Sequence, residues 1–295
     1  MTAPRLLITG GMGYIARHVL AQAQGWDLHA TWFRTPPPDP PAAPAATFNL
    51  QPSTFNPVWH RLNITDCDAV YDLLTRVQPT VVLHTAYQMN TPIMRRVIVD
   101  GTRHVAAAAA FAAARLIYLS TDVIFDGRRG HYRETDEPNP LHAYGSCKKA
   151  AERFARMMAP GGVIVRTSLV YGFAPPDPRT QQVWDAARGQ ADLTLFSDEL
   201  RCPVYAPDLA AALLELAAGD FAGALHVAGP ETLSRYDFGV LLCRAQGIDP
   251  RLLKSALAAT SGLTRPLDCS LDTSLAQQVL RTRLRGASEV CLAPR

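Results

Sequence analysis

Lysine is nearly missing from this chain. Of 29 basic residues only three are lysines, at positions 148, 149 and 254, so arginine carries almost all the positive charge. The excess of that charge is small, net +3 with a pI near 8.6. No Lys/Arg run exceeds two residues, which argues against a nucleic-acid groove or an anionic membrane surface as partner. The six cysteines, at 67, 147, 202, 243, 269 and 291, form no Cys-x-x-Cys pair and no metal-spaced cluster with histidine. No metal is expected, and reduced thiols in a cytoplasmic protein are. No apolar stretch approaches the length of a membrane span, and the N-terminus lacks a signal-like apolar region. The Ala-rich run Val105 to Ala114 is too short and basic-flanked, and reads as a packed helix.

What is present is an ordinary globular composition, 48% hydrophobic and 19% charged over 295 residues, enough for one large or two interlocked domains. The most informative stretch runs from Leu116 to Lys148. Arg115 to Leu119 is a short apolar run with β-branched and aromatic residues, which reads as a buried strand of a parallel sheet. Thr121 is then expected just past its carboxyl end, where open α/β sheets bind ligands. Asn139-Pro140 reads as a helix start and Pro160-Gly161-Gly162 as its stop. Within that helix Tyr144 and Lys148 are four apart and share a face. With nine tyrosines and three lysines in the chain, a chance Tyr-x-x-x-Lys is expected about once in ten such sequences. A surface tyrosine and a solvated lysine are the alternative reading.

The chain also opens with a strand signal, Arg5 to Thr9, followed by a hexad in which Gly10, Gly13 and Ala16 have the G-x-x-G-x-x-A spacing before a helix ending near Gly25. A tight turn there lets backbone approach a pyrophosphate at a helix N-terminus, while Ala16 lets helix and sheet pack closely. A strand before it and a helix after it make this a dinucleotide site.

Together these residues resemble the extended short-chain dehydrogenase/reductase family. STDVIFDG, RTSLVYG (Arg166 to Gly172), HVAGPETLSRYDF (His226 to Phe238) and RPLDCSLDTS (Arg265 to Ser274) look like its dTDP-4-dehydrorhamnose reductase branch. The resemblance implies an α/β, Rossmann-type doubly wound parallel sheet over residues 1–168. A smaller substrate-binding region over 169–295 would follow, with about 207–228 returning to the main sheet. It implies an NADPH-dependent reductase of a nucleotide-linked 4-keto-6-deoxy sugar, with Thr121, Tyr144 and Lys148 catalytic. The cofactor contacts implied are Gly10, Met12, Gly13, Tyr14, Ile15, Arg34, Asn63, Ile64, Thr85, Ala86 and Tyr87, together with Tyr144 and Lys148. A homodimer is expected by analogy of fold. Two departures bear on the substrate. Leu169 stands where the branch has a Trp that contacts substrate, and Gln88 to Arg96 lacks the V-D-x-A-E signature. The same branch also resembles the regulatory β subunit of methionine adenosyltransferase, so a cofactor-binding regulatory subunit is the reading from another class, and an epimerase or dehydratase the alternative within the fold.

Leu28 to Phe33 is expected to be the second strand. No acidic residue closes it and Arg34 does, which favours NADP(H) over NAD(H), because arginine pairs with a 2′-phosphate. Thr35 to Pro57, with PPPDPPAAP at its core, reads as a polyproline-like excursion. Arg61 to Asp66 resembles the family's third-strand segment, with Asn63 where an Asp usually meets adenine. Thr80 to Tyr87 is the fourth strand, and His84 within it reads as a satisfied core histidine. A helix over about Met94 to Ala114 follows, and Gly162 to Thr167 is the sixth strand signal. Phe173 to Leu200 reads as irregular chain that closes over substrate. Beyond it, Pro207 to Ala218 reads as a helix, Ala224 to Ala228 as a strand and Ser234 to Gln246 as a helix. Arg179 and Arg201 are candidate partners of a substrate diphosphate.

Overall fold

The computed structural model describes residues 3–37, 57–89 and 91–293. Most of the proline-rich stretch therefore lies outside the described residues. The chain divides into two compact units, each drawn from several stretches. The first comprises Met1–Ser120, Ser146–Val165 and Ala210–Leu225, and the second Thr121–Gly145, Arg166–Leu209 and His226–Arg295. Among the described residues no helix is long and apolar enough to cross a membrane.

The elements follow from the apolar runs. β1 (Arg5–Thr9), α1 (Tyr14–Gln22), β2 (Asp27–Trp32), β3 (Val58–Arg61), α2 (Cys67–Val77) and β4 (Val81–His84) come first. They lead to α3 (Gly101–Phe111), β5 (Arg115–Thr121), α4 (Ala143–Met158) and β6 (Val163–Thr167). Then come β7 (Val170–Tyr171), α5 (Pro178–Ala187), β8 (Thr194–Phe196), β9 (Leu200–Arg201), β10 (Val204–Tyr205), α6 (Ala206–Ala218) and β11 (Gly223–His226). β12 (Leu233–Ser234), α7 (Arg235–Arg244), β13 (Lys254–Ala256), α8 (Ser274–Val279) and α9 (Ala287–Leu292) complete the order.

A seven-stranded sheet runs β11-β6-β5-β4-β1-β2-β3, with parallel pairing of β1 to β2 and β4, β2 to β3, and β4 to β5. This is the doubly wound α/β sheet expected. Central strands β4 and β6 are buried at every residue, as the continuous apolar runs of a sheet covered on both faces require. Edge strand β3 is half-buried to exposed throughout. It lies ahead of Asn63, so the expected third-strand segment Arg61 to Asp66 is mostly the turn that follows the strand. There Asp66 caps α2, accepting from the Ala69 N–H, and a cap of this kind stabilises a helix by about 1 kcal/mol.

Several boundaries move. β5 extends two residues beyond Leu119, so Thr121 is the strand's last residue. α4 begins at Ala143, not at Asn139-Pro140. Asn139 instead donates from Nδ2 to the Asp126 carboxylate, and His142 Nδ1 accepts from the Gly145 N–H in the role of the cap. The expected helix before β5 contains a π-helical turn at Arg96–Asp100, a widening common near functional sites. The stretch expected to be irregular, Phe173 to Leu200, holds α5 and β8. Asp177 caps α5 and Pro178 opens it, a start signal that is legible in the sequence.

The second unit has its own core, in which Tyr171, Trp184, Phe238 and Leu242 are buried and Phe173 and Tyr205 pack against them. Trp184 satisfies its indole N–H on the Leu242 carbonyl at 3.0 Å. Burying a ring of this size contributes about 2–3 kcal/mol to that core.

Of the three histidines buried among the described residues, His84 and His226 are the most fully enclosed. His84 lies in the first unit between the hydroxyls of Thr9 (2.6 Å) and Thr102 (3.0 Å), the satisfied core histidine expected. Burial, helped by the Lys148 charge, pushes its pKa down to about 3. In the second unit burial and the Arg166 charge take His226 down to about 4. Both stay neutral in the fold while the unfolded chain takes up protons below about pH 6.5. Their contribution is complete above that pH and is lost as the pH falls, by up to about 1.4 kcal/mol per pH unit for each. Melting temperature against pH is expected to drop from pH 6.5 downward, and a flat profile from 6.5 to 4.5 would contradict this.

Candidate active site

The glycine turn after β1 is pinned to the sheet. The Gly10 N–H donates to Thr31 Oγ1 at 3.1 Å and the Gly11 N–H to the Thr31 carbonyl at 2.8 Å. Gly10 has φ +74°, and a Cβ there would stand 2.8 Å from the Ala86 Cα, so this position takes only glycine. Gly13 is the N-cap of α1, with no side-chain cap and no acidic residue in the helix's first turn. A helix start without a side-chain cap suits an anion, and a dinucleotide pyrophosphate fits that cradle. Ala16 is fully buried against the sheet, as close packing requires. Met12 and Tyr14 are half-buried on the turn and Ile15 is buried.

At the same end of β1, Thr85 is fixed by its hydroxyl on the Thr9 carbonyl (2.7 Å). Ala86 backs Gly10, and Tyr87 is 55% exposed. Lys148 lies 5.4 Å from the Tyr87 ring centroid and 4.8 Å from that of Tyr118, and donates from Nζ to the Leu119 carbonyl at 2.8 Å. It is only 4% exposed. Burial pulls its pKa down to about 7, against a smaller upward pull from Glu152. A compact ammonium so placed can gain or release a proton near neutrality, which arginine cannot do. That accounts for a lysine at this position in so arginine-rich a chain.

Thr121 closes β5 and begins a short 3-10 turn, Asp122–Ile124. Its hydroxyl donates to Asp122 Oδ1 at 3.1 Å, while Asp122 Oδ2 accepts from Ser168 Oγ at 2.6 Å. Asp122 thus ties this turn to Ser168 and has a structural part. Tyr144, half-buried, sits in the first turn of α4, one helical turn before Lys148. Gly145 follows it, and any Cβ there would collide with the Val123 carbonyl oxygen. The glycine therefore lets the start of α4 press onto the turn that carries Thr121. The sequence shows this residue as the Gly of YGSCK but not the contact that needs it. Gly11 was likewise not singled out, although a Cβ there would meet Ala30 and Trp59.

The remaining candidates are placed as follows. Arg34 is exposed just past β2. Asn63 is half-buried and bonds within its own turn, its Oδ1 accepting from the Thr65 N–H and hydroxyl, and Ile64 is buried against Gly101. Leu169 belongs to the core of the second unit, and Arg179 is exposed on the first turn of α5. Arg201 is 3% exposed and donates to the carbonyls of Leu200, Pro266 and Leu267 and to Glu199, with Nε 3.6 Å from Asp122. Its guanidinium is committed within the chain, so the geometry gives it a structural role and does not present it to a diphosphate.

Comparisons with known proteins agree with this geometry. The family model described as RmlD substrate binding domain matches residues 4–289. A probable low-salt glycan biosynthesis reductase of Haloferax volcanii is 30% identical over 79% of this chain and 82% of its own length. A dTDP-4-dehydrorhamnose reductase of Mycobacterium tuberculosis is 30% identical over 86% and 80%. The β subunit of methionine adenosyltransferase 2 from Bos taurus is 26% identical over 92% and 80%. Among solved structures, a dTDP-4-dehydrorhamnose reductase of Bacillus anthracis in complex with NADP superposes with a TM-score of 0.79 at 20% identity, covering 99% of this chain and 97% of that one. A Bordetella bronchiseptica enzyme in complex with NAD+ does so with a TM-score of 0.80 at 18% identity, covering 98% and 96%. A match over nearly the whole length, on a fold that brings the glycine turn to β1 and carries Tyr144 and Lys148 on one helix, places this chain in the RmlD substrate binding domain family.

Proposed function

We propose that this protein is a pyridine-nucleotide-dependent reductase that converts the ketone of a nucleotide-linked 4-keto-6-deoxy sugar to an alcohol. The observation that carries the reading is Lys148, buried beneath Tyr87 with a pKa near neutrality and one helical turn from Tyr144. The uncapped start of α1 supports a dinucleotide there, held by the turn from Gly10 to Ile15. The absence of an acidic residue at the end of β2, with Arg34 beside it, favours the 2′-phosphate of NADP(H). When bound, the reduced nicotinamide supplies hydride to the carbonyl carbon.

The chain's own groups supply the rest. As negative charge builds on the ketone oxygen, Tyr144 donates its phenolic proton to it, so the carbon gains a C–H bond and the oxygen an O–H bond. Thr121, its hydroxyl poised by Asp122, turns to hydrogen-bond the same oxygen and hold its orientation. The Lys148 ammonium favours the phenolate left on Tyr144. Lys148 would also hold the nicotinamide ribose when the cofactor is bound.

The test is NADPH oxidation by the purified protein with dTDP-, GDP- and UDP-linked 4-keto sugars. Turnover on at least one is the expected result. The likeness to the methionine adenosyltransferase β subunit supports one competing reading, a regulatory subunit. Tight NADPH binding with no turnover on any of these substrates would favour it and would overturn the reductase.

A further inference from the structure

One row of side chains crosses the middle of the first unit's sheet. Thr9, His84 and Tyr118 are successive partners in register on β1, β4 and β5, and all three are fully buried. His84 is bonded at both ring nitrogens, to the hydroxyl of Thr9 and to that of Thr102 on α3, so its ring cannot turn. Tyr118 stacks on that fixed ring, with centroids 5.5 Å apart and planes inclined by 27°. The row ends at Lys148, whose Nζ lies 4.8 Å from the Tyr118 ring centroid.

An ammonium at this depth needs more than one carbonyl to hold its charge. Burial is the largest effect on it and works against the charged form, while Glu152, one turn further along α4, favours it. His84 is kept neutral by its own burial and adds no second cation. The other titratable groups around Lys148 are the phenols of Tyr87 and Tyr118 and, one turn earlier on α4, of Tyr144. The face of an aromatic ring is negative and attracts a cation, more strongly away from water. Tyr87 is 55% exposed and its centroid is 5.4 Å away, whereas Tyr118 is nearer and buried. Of the two rings, Tyr118 is therefore the one that offsets the loss of water. A leucine or valine would fill the same place in β5 without holding the charge.

We propose that Tyr118 is a positioning residue for the reaction, its ring, clamped by His84, seating the Lys148 ammonium and keeping it charged. This rests on the reductase reading above and deepens it, because Tyr118 acts on the chemistry only through Lys148.

The experiment reads Lys148 directly, without turnover. The chain has only three lysines, so NMR of protein grown on lysine labelled with carbon-13 at Cε gives one signal for each. Combining Lys149→Arg with Lys254→Arg leaves that of Lys148 alone. Its titration midpoint is expected near 7, and within about 0.3 unit of that value in Tyr118→Phe, which keeps the ring. Trifluorophenylalanine incorporated at position 118 keeps the ring's shape but withdraws electrons from its face. It is expected to lower the midpoint by about 0.4–1.5 pH units, and Tyr87→Leu to lower it by less. A midpoint that fluorination does not move, or that Tyr87→Leu moves further, overturns the assignment, since a merely structural ring would tolerate fluorine without touching the lysine. Where a keto sugar is reduced, the alkaline fall of kcat should move to lower pH by the same amount in the fluorinated protein. An alkaline limb that stays in place while the midpoint moves overturns the link to the reaction. A protein that reduces no keto sugar but titrates as expected keeps the aromatic seat and loses only the reductase reading.

Discussion

Tyr144→Phe is expected to lower kcat for ketone reduction by about a hundred- to ten-thousand-fold, the range over which a positioned general acid acts. The substitution removes one oxygen atom. It keeps the ring beside His142, 6.3 Å away between centroids, and leaves Gly145 free to seat α4 against Val123. Melting temperature and NADPH affinity should therefore barely change. A fall in kcat together with a large fall in melting temperature would mean that the hydroxyl holds the fold and does not deliver a proton. Undiminished turnover would remove Tyr144 from the chemistry altogether.

Glu199→Ala is expected to cost about 3–5 kcal/mol of stability, the penalty for leaving a buried charge without its partner. Glu199 is 3% exposed and holds Arg265 through both carboxylate oxygens and Arg201 through one. Burial pushes its carboxyl up, yet the Arg265 hydrogen bond and the charges of Arg201, Arg265 and Arg235 outweigh this and leave the pKa below the ordinary value. Its stabilisation is therefore complete above the unfolded pKa and is lost as the pH falls through the folded one. For a chain of this size the expected drop in melting temperature at neutral pH is roughly 5–8 °C. Wild type and variant should converge in acid. Equal melting temperatures at pH 7 would show the cluster to be idle.

Much of the sheet was legible because parallel strands buried on both faces write themselves as unbroken apolar runs, as in Val81–His84 and Val163–Thr167. Tyr144, Lys148 and the glycine turn were legible for a related reason, since spacing along one helix or one turn is a local property. Long-range partners were not. Nothing near Arg201 in sequence reveals that Pro266 and Leu267, some sixty-five residues on, take up its guanidinium, so a free cation and a buried strut look alike. The start of α4 was misplaced because Asn139 finds a partner in Asp126, leaving His142 to cap. Asp177-Pro178 carried as clear a start signal for α5, but the prolines and charges around it masked the pattern.

The first unit is assembled from three separate stretches, the last ending at Leu225. A ribosome delivers them in order, with the whole of Thr121–Gly145 and Arg166–Leu209 emerging in between. Strands β1 to β5 can pair early, but β6 waits for residue 167, and β11, at the end of the strand order beyond β6, is made only after more than two hundred residues. Such non-local pairing slows folding and leaves an open sheet edge during synthesis. Truncations short of Leu225 would therefore strand β6 as an unprotected edge, and so would nascent chains held at that length.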